Sequence, residues 1–124
     1  MQQVMSASGA QETPQSPNPR RFTRYPADIR IDAQVFRPGG TVSLWGRSSE
    51  IGEDGIGGTL TEEVEPGEVV SMEITLPMSN RSMKFRALVR YRIGLRHGFE
   101  FLALSREQRA VLRELCESLS TEYR

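Results

Sequence analysis

Three arginines lie within five residues of one another, at Arg20, Arg21 and Arg24, where a Ser/Pro/Gln-rich stretch gives way to an alternating pattern. A guanidinium can form two parallel hydrogen bonds to a phosphate or a carboxylate, and it can also stack on a flat ring. Pro19 and Pro26 flank the cluster and favour an extended or turning segment over a helix. Such a segment could surround a planar anion from several sides. The cluster alone also fits a solvated basic junction, and that interpretation stays open at this point.

A second candidate region is a glycine-bearing turn that follows about thirty residues later. Glycines such as Gly52 and Gly55 let a backbone approach a ligand closely. The carboxylates of Glu50, Glu53 and Asp54 could accept hydrogen bonds from guanine, which presents two parallel donors, N1–H and the exocyclic amine. The turn is acidic and lacks the GxxxxGK[ST] pattern, so it is not a phosphate loop of that type. An ordinary hairpin turn explains the same residues.

Length and charge exclude several functions. The 124 residues suffice for a single domain, and the formal net charge is zero, so no overall field attracts the chain to nucleic acid. No basic helix is present either, and we expect no nucleic-acid binding. No apolar run approaches the length of a membrane span, and the N-terminus lacks the features of a signal peptide. With a single cysteine and no internal disulfide, the sequence predicts a cytoplasmic protein without membrane insertion.

The sequence contains little that could catalyse a reaction. Its one histidine, His97, and its one cysteine, Cys116, are too few for a Cys/His metal site, and no Ser-His-Asp arrangement can be argued. The acidic residues cluster in turn-like segments without a nearby nucleophile, where they typically aid solubility. We therefore expect no enzymatic activity, no metal and no cofactor. Cys116 is interpreted as a packing residue.

Alternation of apolar and polar residues predicts a β-rich domain. Residues 1–19 are poor in apolar side chains and are expected to form a disordered N-terminal tail. In the second predicted strand Gly46 is expected to interrupt the pattern, and Trp45 is a candidate for inward packing. In a later strand Tyr91 is expected to share the inner face of Phe85. The predicted strands lie near 27–36, 41–48, 56–60, 69–76, 83–92 and 97–102.

A helix is predicted from Ser105 to Leu119. Ser105 and Gln108 form a capping-box pattern, and apolar residues recur at helical spacing at Val111, Leu112, Leu115 and Leu119. Residues 120–124 are expected to form a C-terminal tail. The predicted fold class is mainly β, a six-stranded antiparallel β-barrel with one C-terminal α-helix, and the domain spans residues 20–119.

Taken together and in this order, the two candidate regions resemble the motifs of the PilZ domain family. An RxxxR motif precedes the first strand, matched by Arg20 to Arg24, and a [D/N]x[S/A]xxG motif follows on the turn after the second strand. Gly55 matches the final glycine of that motif. Glu50 stands where the family has Asp or Asn, and Gly52 where it has Ser or Ala. The ending HGFEFLALSREQRAVLREL is similar to the family's last strand and C-terminal helix.

The resemblance implies a barrel that binds the bacterial second messenger cyclic di-GMP without catalysing a reaction. Carried over by position, Arg20 and Arg24 would hold the phosphates and contact guanine, and Arg21 would add a further contact. Because Glu50 and Gly52 depart from the motif, weaker binding is expected, and restoring Asp and Ser there is expected to tighten it. The residues expected to bind cyclic di-GMP are Arg20, Arg21, Arg24, Glu50, Gly52 and Gly55.

Such a chain would act as a receptor or adaptor. The ligand would order the arginine segment on the barrel. The signal would then pass to an unidentified effector protein, and the resemblance suggests motility, polysaccharide or adhesion machinery. The alternative is a degenerate PilZ-like module that no longer binds nucleotide and serves protein contacts through its helix or an open strand edge.

Overall fold

The computed structural model describes residues 22–77 and 79–122. The predicted disordered tail, residues 1–19, lies outside the described residues, as do Arg20 and Arg21. Within the described ranges the chain forms seven strands and one helix. In chain order these are β1 (Tyr25–Pro26), β2 (Arg30–Arg37), β3 (Gly40–Ile51), β4 (Gly55–Leu60), β5 (Val69–Thr75), β6 (Ser82–Ile93), β7 (Arg96–Leu102) and α1 (Arg106–Glu122).

Six of these strands form a closed antiparallel barrel. The hydrogen-bonded order is β3-β2-β5-β6-β7-β4, and the pairing of β3 with β4 closes the ring. The two-residue β1 pairs with the end of β3. Closure satisfies the strand edges that an open sheet would expose. The predicted six-stranded antiparallel β-barrel with a C-terminal helix is therefore confirmed.

Alternate residues of the strands fill the barrel interior. On β2, Ile31, Ala33 and Val35 are buried, and the residues between them are more exposed. Phe85 and Phe101 contribute rings whose centroids lie 4.9 Å apart. Burying each large apolar side chain contributes roughly 1.5–3 kcal/mol. A shift of one residue would expose a whole strand's apolar set, so this pattern fixes the register.

Gly46 does not interrupt β3, contrary to the prediction. The strand continues through it, and a Cβ at this position would lie 2.8 Å from the Leu60 side chain. The glycine therefore lets β4 approach β3 closely. Trp45 is 45% exposed and faces outward, with the guanidinium carbon of Arg30 4.3 Å from its ring centre. The inward packing considered for Trp45 is wrong, because its neighbour Leu44 takes the inner position.

A β-bulge in β6 puts Tyr91 on the side opposite to the predicted one. The register shifts between Val89 and Tyr91. Val89 is buried inside the barrel, whereas Tyr91 pairs with Gly98 and lies with its ring over that glycine on the outer surface. A bulge inserts one extra residue and so exchanges the two faces of the strand beyond it. Strict alternation in the sequence cannot reveal such a shift.

Helix α1 begins as predicted. Ser105 Oγ accepts the backbone N–H of Gln108 at 3.0 Å, and Gln108 Oε1 accepts that of Ser105 at 2.7 Å, which completes the capping box. The helix continues to Glu122, so residues 120–122 are helical and not part of a tail. Leu112, Leu115 and Cys116 are buried, Val111 and Leu119 are partly buried, and the helix lies against β1. No helix in the described ranges is long and apolar enough to cross a membrane.

Candidate functional site

The end of β3 brings the two predicted motifs together. β1 pairs with it in antiparallel register, and Pro26 lies opposite Glu50. Arg24, two residues before Pro26, therefore lies beside the turn that joins β3 to β4. A hydrogen bond of 2.9 Å from the N–H of Gly52 to the carbonyl oxygen of Gly55 closes this turn. The pairing thus places the last arginine of the first motif against the second motif.

A second β-bulge directs Glu50 to the outer surface. The register shifts between Ser48, which pairs with Gly58, and Glu50, which pairs with Gly57. Ser48 is buried, whereas the Glu50 side chain lies over Gly57, where a Cβ would sit 3.2 Å from Oε2. If Ser49 took a regular place in the alternation, Glu50 would point into the barrel as Ser48 does. The bulge therefore places this carboxylate on the outer surface of the barrel.

Two carboxylates hold the Arg24 guanidinium. Nε donates to Oδ1 of Asp54 at 3.1 Å, and Nη1 donates to Oε2 of Glu50 at 3.3 Å. The Arg24 side chain is 12% exposed, against 25% for Glu50 and 32% for Asp54. Nη2 has no hydrogen-bond partner among the described residues. Among the described residues, one guanidinium thus faces two carboxylates.

Two glycines leave the space in which this arginine lies. A Cβ placed on Gly52 would lie 2.7 Å from Cδ of Arg24 and 2.8 Å from the carbonyl oxygen of Thr23. A Cβ on Gly55 would lie 2.7 Å from Nη2 of Arg24. Interiors packed this closely do not accommodate an added carbon without a shift. At Gly52 the close approach is that of the Arg24 segment, whereas at Gly55 the carbonyl oxygen of Phe99 on β7 lies even closer than Arg24 does.

The structure brings together four of the six predicted site residues, namely Arg24, Glu50, Gly52 and Gly55. The other two, Arg20 and Arg21, lie outside the described residues. The sequence suggests Asp54 only as one of several acidic acceptors, and it does not single out its bond to Arg24. Its place in the glycine-closed turn was the one signal that could have found it.

Tyr91 is a surface residue that the sequence pattern places in the core. Strand pairing aligns Glu50, Gly57, Gly98 and Tyr91 in one row across the outer face of β3, β4, β7 and β6. Neighbouring strands are about 4.8 Å apart, so the row spans roughly 14 Å. A carboxylate lies at one end and an aromatic ring at the other, with only glycines between them. The Glu50 side chain lies over Gly57 and the Tyr91 ring lies over Gly98, so the two glycines leave the space for these two side chains.

A groove of about 330 Å³ lies elsewhere on the outer surface, along β2, β3, β5 and β6. Lys84 lines it together with Asp32 and Glu73. This groove contains none of the residues of the two motifs, so it is not the candidate site.

Cys116 lies near the β3–β4 turn but is not a nucleophile. Burial, followed by the charges of Glu53 and Asp54, raises the pKa of its thiol to about 11. A thiol with that pKa is almost fully protonated near neutral pH, and only the thiolate reacts. Its burial agrees with the predicted packing role.

Both ring nitrogens of His97 have structural partners. The side chain is fully buried, Nε2 accepts the backbone N–H of Val64 at 2.9 Å, and Nδ1 lies 2.7 Å from the carbonyl oxygen of Leu95. Since a carbonyl can only accept, Nδ1 carries the proton and the ring is neutral. Burial lowers the pKa of this imidazole. Across residues 22–77 and 79–122, no group of three or more His, Cys, Asp or Glu side chains is placed to hold a metal ion.

The sequence matches the PilZ domain family over residues 18–118, which is most of the chain. This chain therefore belongs to the PilZ domain family, as its two motifs predicted. None of the curated proteins compared with it gives a significant match.

Solved structures with a similar fold include the PilZ domain with c-di-GMP of YcgR from Escherichia coli. It has a TM-score of 0.69 at 19% identity, over 86% of this chain and 95% of that chain. The Bacillus subtilis inhibitor of motility MotI/DgrA has a TM-score of 0.72 at 18% identity, over 86% of this chain and 53% of that chain. YcgR in complex with c-di-GMP from Escherichia coli has a TM-score of 0.67 at 23% identity, over 84% of this chain and 47% of that chain. This chain matches about half the length of the last two, and the likeness shows a common fold.

Proposed function

We propose that this chain is a receptor for cyclic di-GMP, with Arg24 and the β3–β4 turn as one half of the binding site. The observation that carries the proposal is the Arg24 guanidinium, held at the surface of a PilZ barrel with Nη2 unpartnered among the described residues. Two of the similar structures named above contain c-di-GMP. A guanine dinucleotide requires cations for its phosphates and acceptors for its bases, and the site contains both.

Each part of this ligand has a suitable residue. Arg24 can donate charge-assisted hydrogen bonds to a phosphate. The carboxylate of Glu50 can accept both N1–H and the exocyclic amine of a guanine. The ring of Tyr91, at the other end of the row, can stack on a base. Arg20 and Arg21 complete the arginine motif and are assigned to the same phosphates and guanines.

The remaining motif residues act indirectly, since Gly52 and Gly55 leave the space for Arg24. No covalent chemistry is required of such a site. Binding would order the arginine segment and pass the signal to an effector protein of motility, polysaccharide or adhesion machinery. The similarity to an inhibitor of motility supports the first of these classes.

An interaction module without nucleotide binding is the second candidate function. The observation in its favour is that Arg24 is already paired with two carboxylates, so the cluster is satisfied without a ligand. In that case the barrel would serve only protein contacts, and the motif would be a structural remnant.

Isothermal titration calorimetry of the full chain with cyclic di-GMP tests the proposal. We expect a dissociation constant in the micromolar range or tighter. Arg24→Ala is expected to weaken binding at least about tenfold, because one charge-assisted contact is lost, and Arg20→Ala should have a similar effect. Arg109→Ala removes an exposed arginine on α1 and is the control for net charge. Absence of heat and of any thermal shift at millimolar ligand would contradict a receptor and favour the interaction module.

A further inference from the structure

The Arg24 guanidinium has two edges that could receive a phosphate in bidentate fashion. One edge consists of Nε and Nη2, and the other of Nη1 and Nη2. Asp54 occupies Nε on the first edge, and Glu50 occupies Nη1 on the second. One of the two donors on each edge is therefore already bonded to a carboxylate. Neither edge can bind a phosphate with both of its donors until that carboxylate leaves.

We propose that Asp54 is an internal competitor of the ligand, and that it leaves Arg24 when a phosphate binds to the Nε/Nη2 edge. This inference rests on the proposed function. Asp54 is the better candidate to leave, because its side chain is the more exposed of the two carboxylates and has no other partner among the described residues. Glu50 is fixed by the bulge and lies against Gly57.

The backbone of Asp54 stays in place during this exchange. Its carbonyl oxygen accepts the N–H of Phe101 at 2.9 Å, which ties the turn to β7. Only the side chain has to rotate into water, where the carboxylate is well solvated. The competition therefore lowers the apparent affinity without requiring the barrel to change.

Neutralising Asp54 tests the competition. Asp54→Asn keeps the size of the side chain but removes its charge, and it is expected to tighten cyclic di-GMP binding about fivefold in calorimetry of the full chain, the size expected for one partly exposed ion pair. Glu53→Gln is the matched control. Glu53 lies in the same turn, and its substitution makes the same change in net charge. However, its ion pair is with Arg113, at 3.9 Å, and not with Arg24. We expect less than a twofold effect from this control.

A measurement without ligand keeps the two proposals apart. In ¹⁵N-labelled protein, exchange of the Arg24 Nε–H with water is expected to be slow in the wild type and faster in Asp54→Asn. If both proteins bind cyclic di-GMP equally, or Asp54→Asn binds more weakly, the receptor stands and the competition is overturned. If exchange responds as expected but neither protein binds, the receptor is overturned and the competition with it. Binding by Asp54→Asn alone would support both.

Discussion

Arg24 and Arg37 both pair with carboxylates, and the two are paired in different ways. Arg37 donates from Nε and from Nη2 to the two oxygens of Glu68, both at 3.0 Å, so one carboxylate fills one complete edge. Glu68 also accepts the backbone N–H of Glu65 at 2.8 Å. Arg24 divides its donors between Asp54 and Glu50, with one longer bond to each. Arg37 ends β2 and Glu68 lies just before β5, whereas Arg24 precedes β1 and its two carboxylates lie in β3 and in the turn after it.

This difference separates an arginine that holds the fold from one that is available for binding. The bidentate bond raises the pKa of Arg37 and is the main cause that lowers the pKa of Glu68, so each partner stabilises the charged form of the other. No donor on that edge is left for a ligand. At Arg24 the two edges share Nη2, which has no partner in the described ranges. Arg24 therefore keeps one donor that a ligand could use, whereas the paired edge of Arg37 keeps none.

The largest expected effect is a contrast between two variants, one of which should lose ligand binding and the other stability. Arg24→Ala should weaken cyclic di-GMP binding at least about tenfold with little change in the midpoint of thermal unfolding. Arg37→Ala should lower that midpoint and leave the binding constant unchanged. Calorimetry and thermal unfolding of the two variants measure both quantities.

The lysine variants sharpen the same comparison. Arg37→Lys and Arg24→Lys keep the charge but lose the planar fork. Arg37→Lys should recover only part of the lost stability, because lysine cannot bond both oxygens of Glu68 in the same way. If Arg37→Ala weakened binding as much as Arg24→Ala, the distinction between the two pairs would be wrong.

Much of the fold could be predicted because it depends on local patterns. Alternation marked the strands, the Ser105 capping box marked the start of the helix, and the motif spacing placed Arg24 near Glu50. The two β-bulges could not be predicted, because they arise from pairing between β3 and β4 and between β6 and β7. They decide on which face Glu50 and Tyr91 lie. The bond from Arg24 to Asp54 depends in turn on how the β3–β4 turn closes.

The next effect concerns Gly52, where the motif and the structure give opposite expectations. According to the motif, a serine at position 52 should tighten binding. In the structure, however, the Cβ of that serine would lie 2.7 Å from Cδ of Arg24, which is too close. We expect Gly52→Ser to displace Arg24 and to weaken binding by several-fold to about tenfold. Gly39→Ser is the control, since a Cβ there meets nothing within 4 Å. Tighter binding by Gly52→Ser would show that Arg24 leaves the turn in the bound state.

A smaller effect is the loss of folding stability expected at low pH. It concerns His97, which lies at the end of the barrel where Arg37 pairs with Glu68. His97 binds Val64, in the loop that leads to Glu68, as a neutral ring. Because burial lowers its pKa in the folded state, its contribution to stability is complete above about pH 6.5, the unfolded value, and is lost as the pH falls through the folded pKa. For one proton the slope cannot exceed about 1.4 kcal/mol per pH unit.

Chemical denaturation between pH 7.5 and pH 5.5 measures this loss. His97→Gln keeps an acceptor for Val64 but does not titrate, so its stability should depend less on pH than that of the wild type. Parallel curves for the two proteins would contradict the assignment. Nearby charges act on His97 in both directions, since Arg92 lowers its pKa while Glu63 and Glu65 raise it. The comparison with His97→Gln removes these contributions only if the variant folds with the same loop, which its circular dichroism spectrum would show.

The smallest expected effect is on the rate at which Cys116 is alkylated. Cys116 lies near the β3–β4 turn, so this rate reports on the end of the barrel where Arg24 lies, called here the Arg24 end. Its pKa of about 11, against an ordinary 9.0, predicts alkylation by iodoacetamide about a hundredfold slower than in unfolded chain from ionisation alone, and burial slows it further. Since the charge of Asp54 contributes to this shift, Asp54→Asn should label slightly faster, whereas Arg37→Ala should not change labelling of native protein. Labelling is followed by mass spectrometry at pH 8. A native rate within tenfold of the unfolded rate would mean that the Arg24 end opens readily, and that the split pairing reflects a loose end of the barrel and not a formed site.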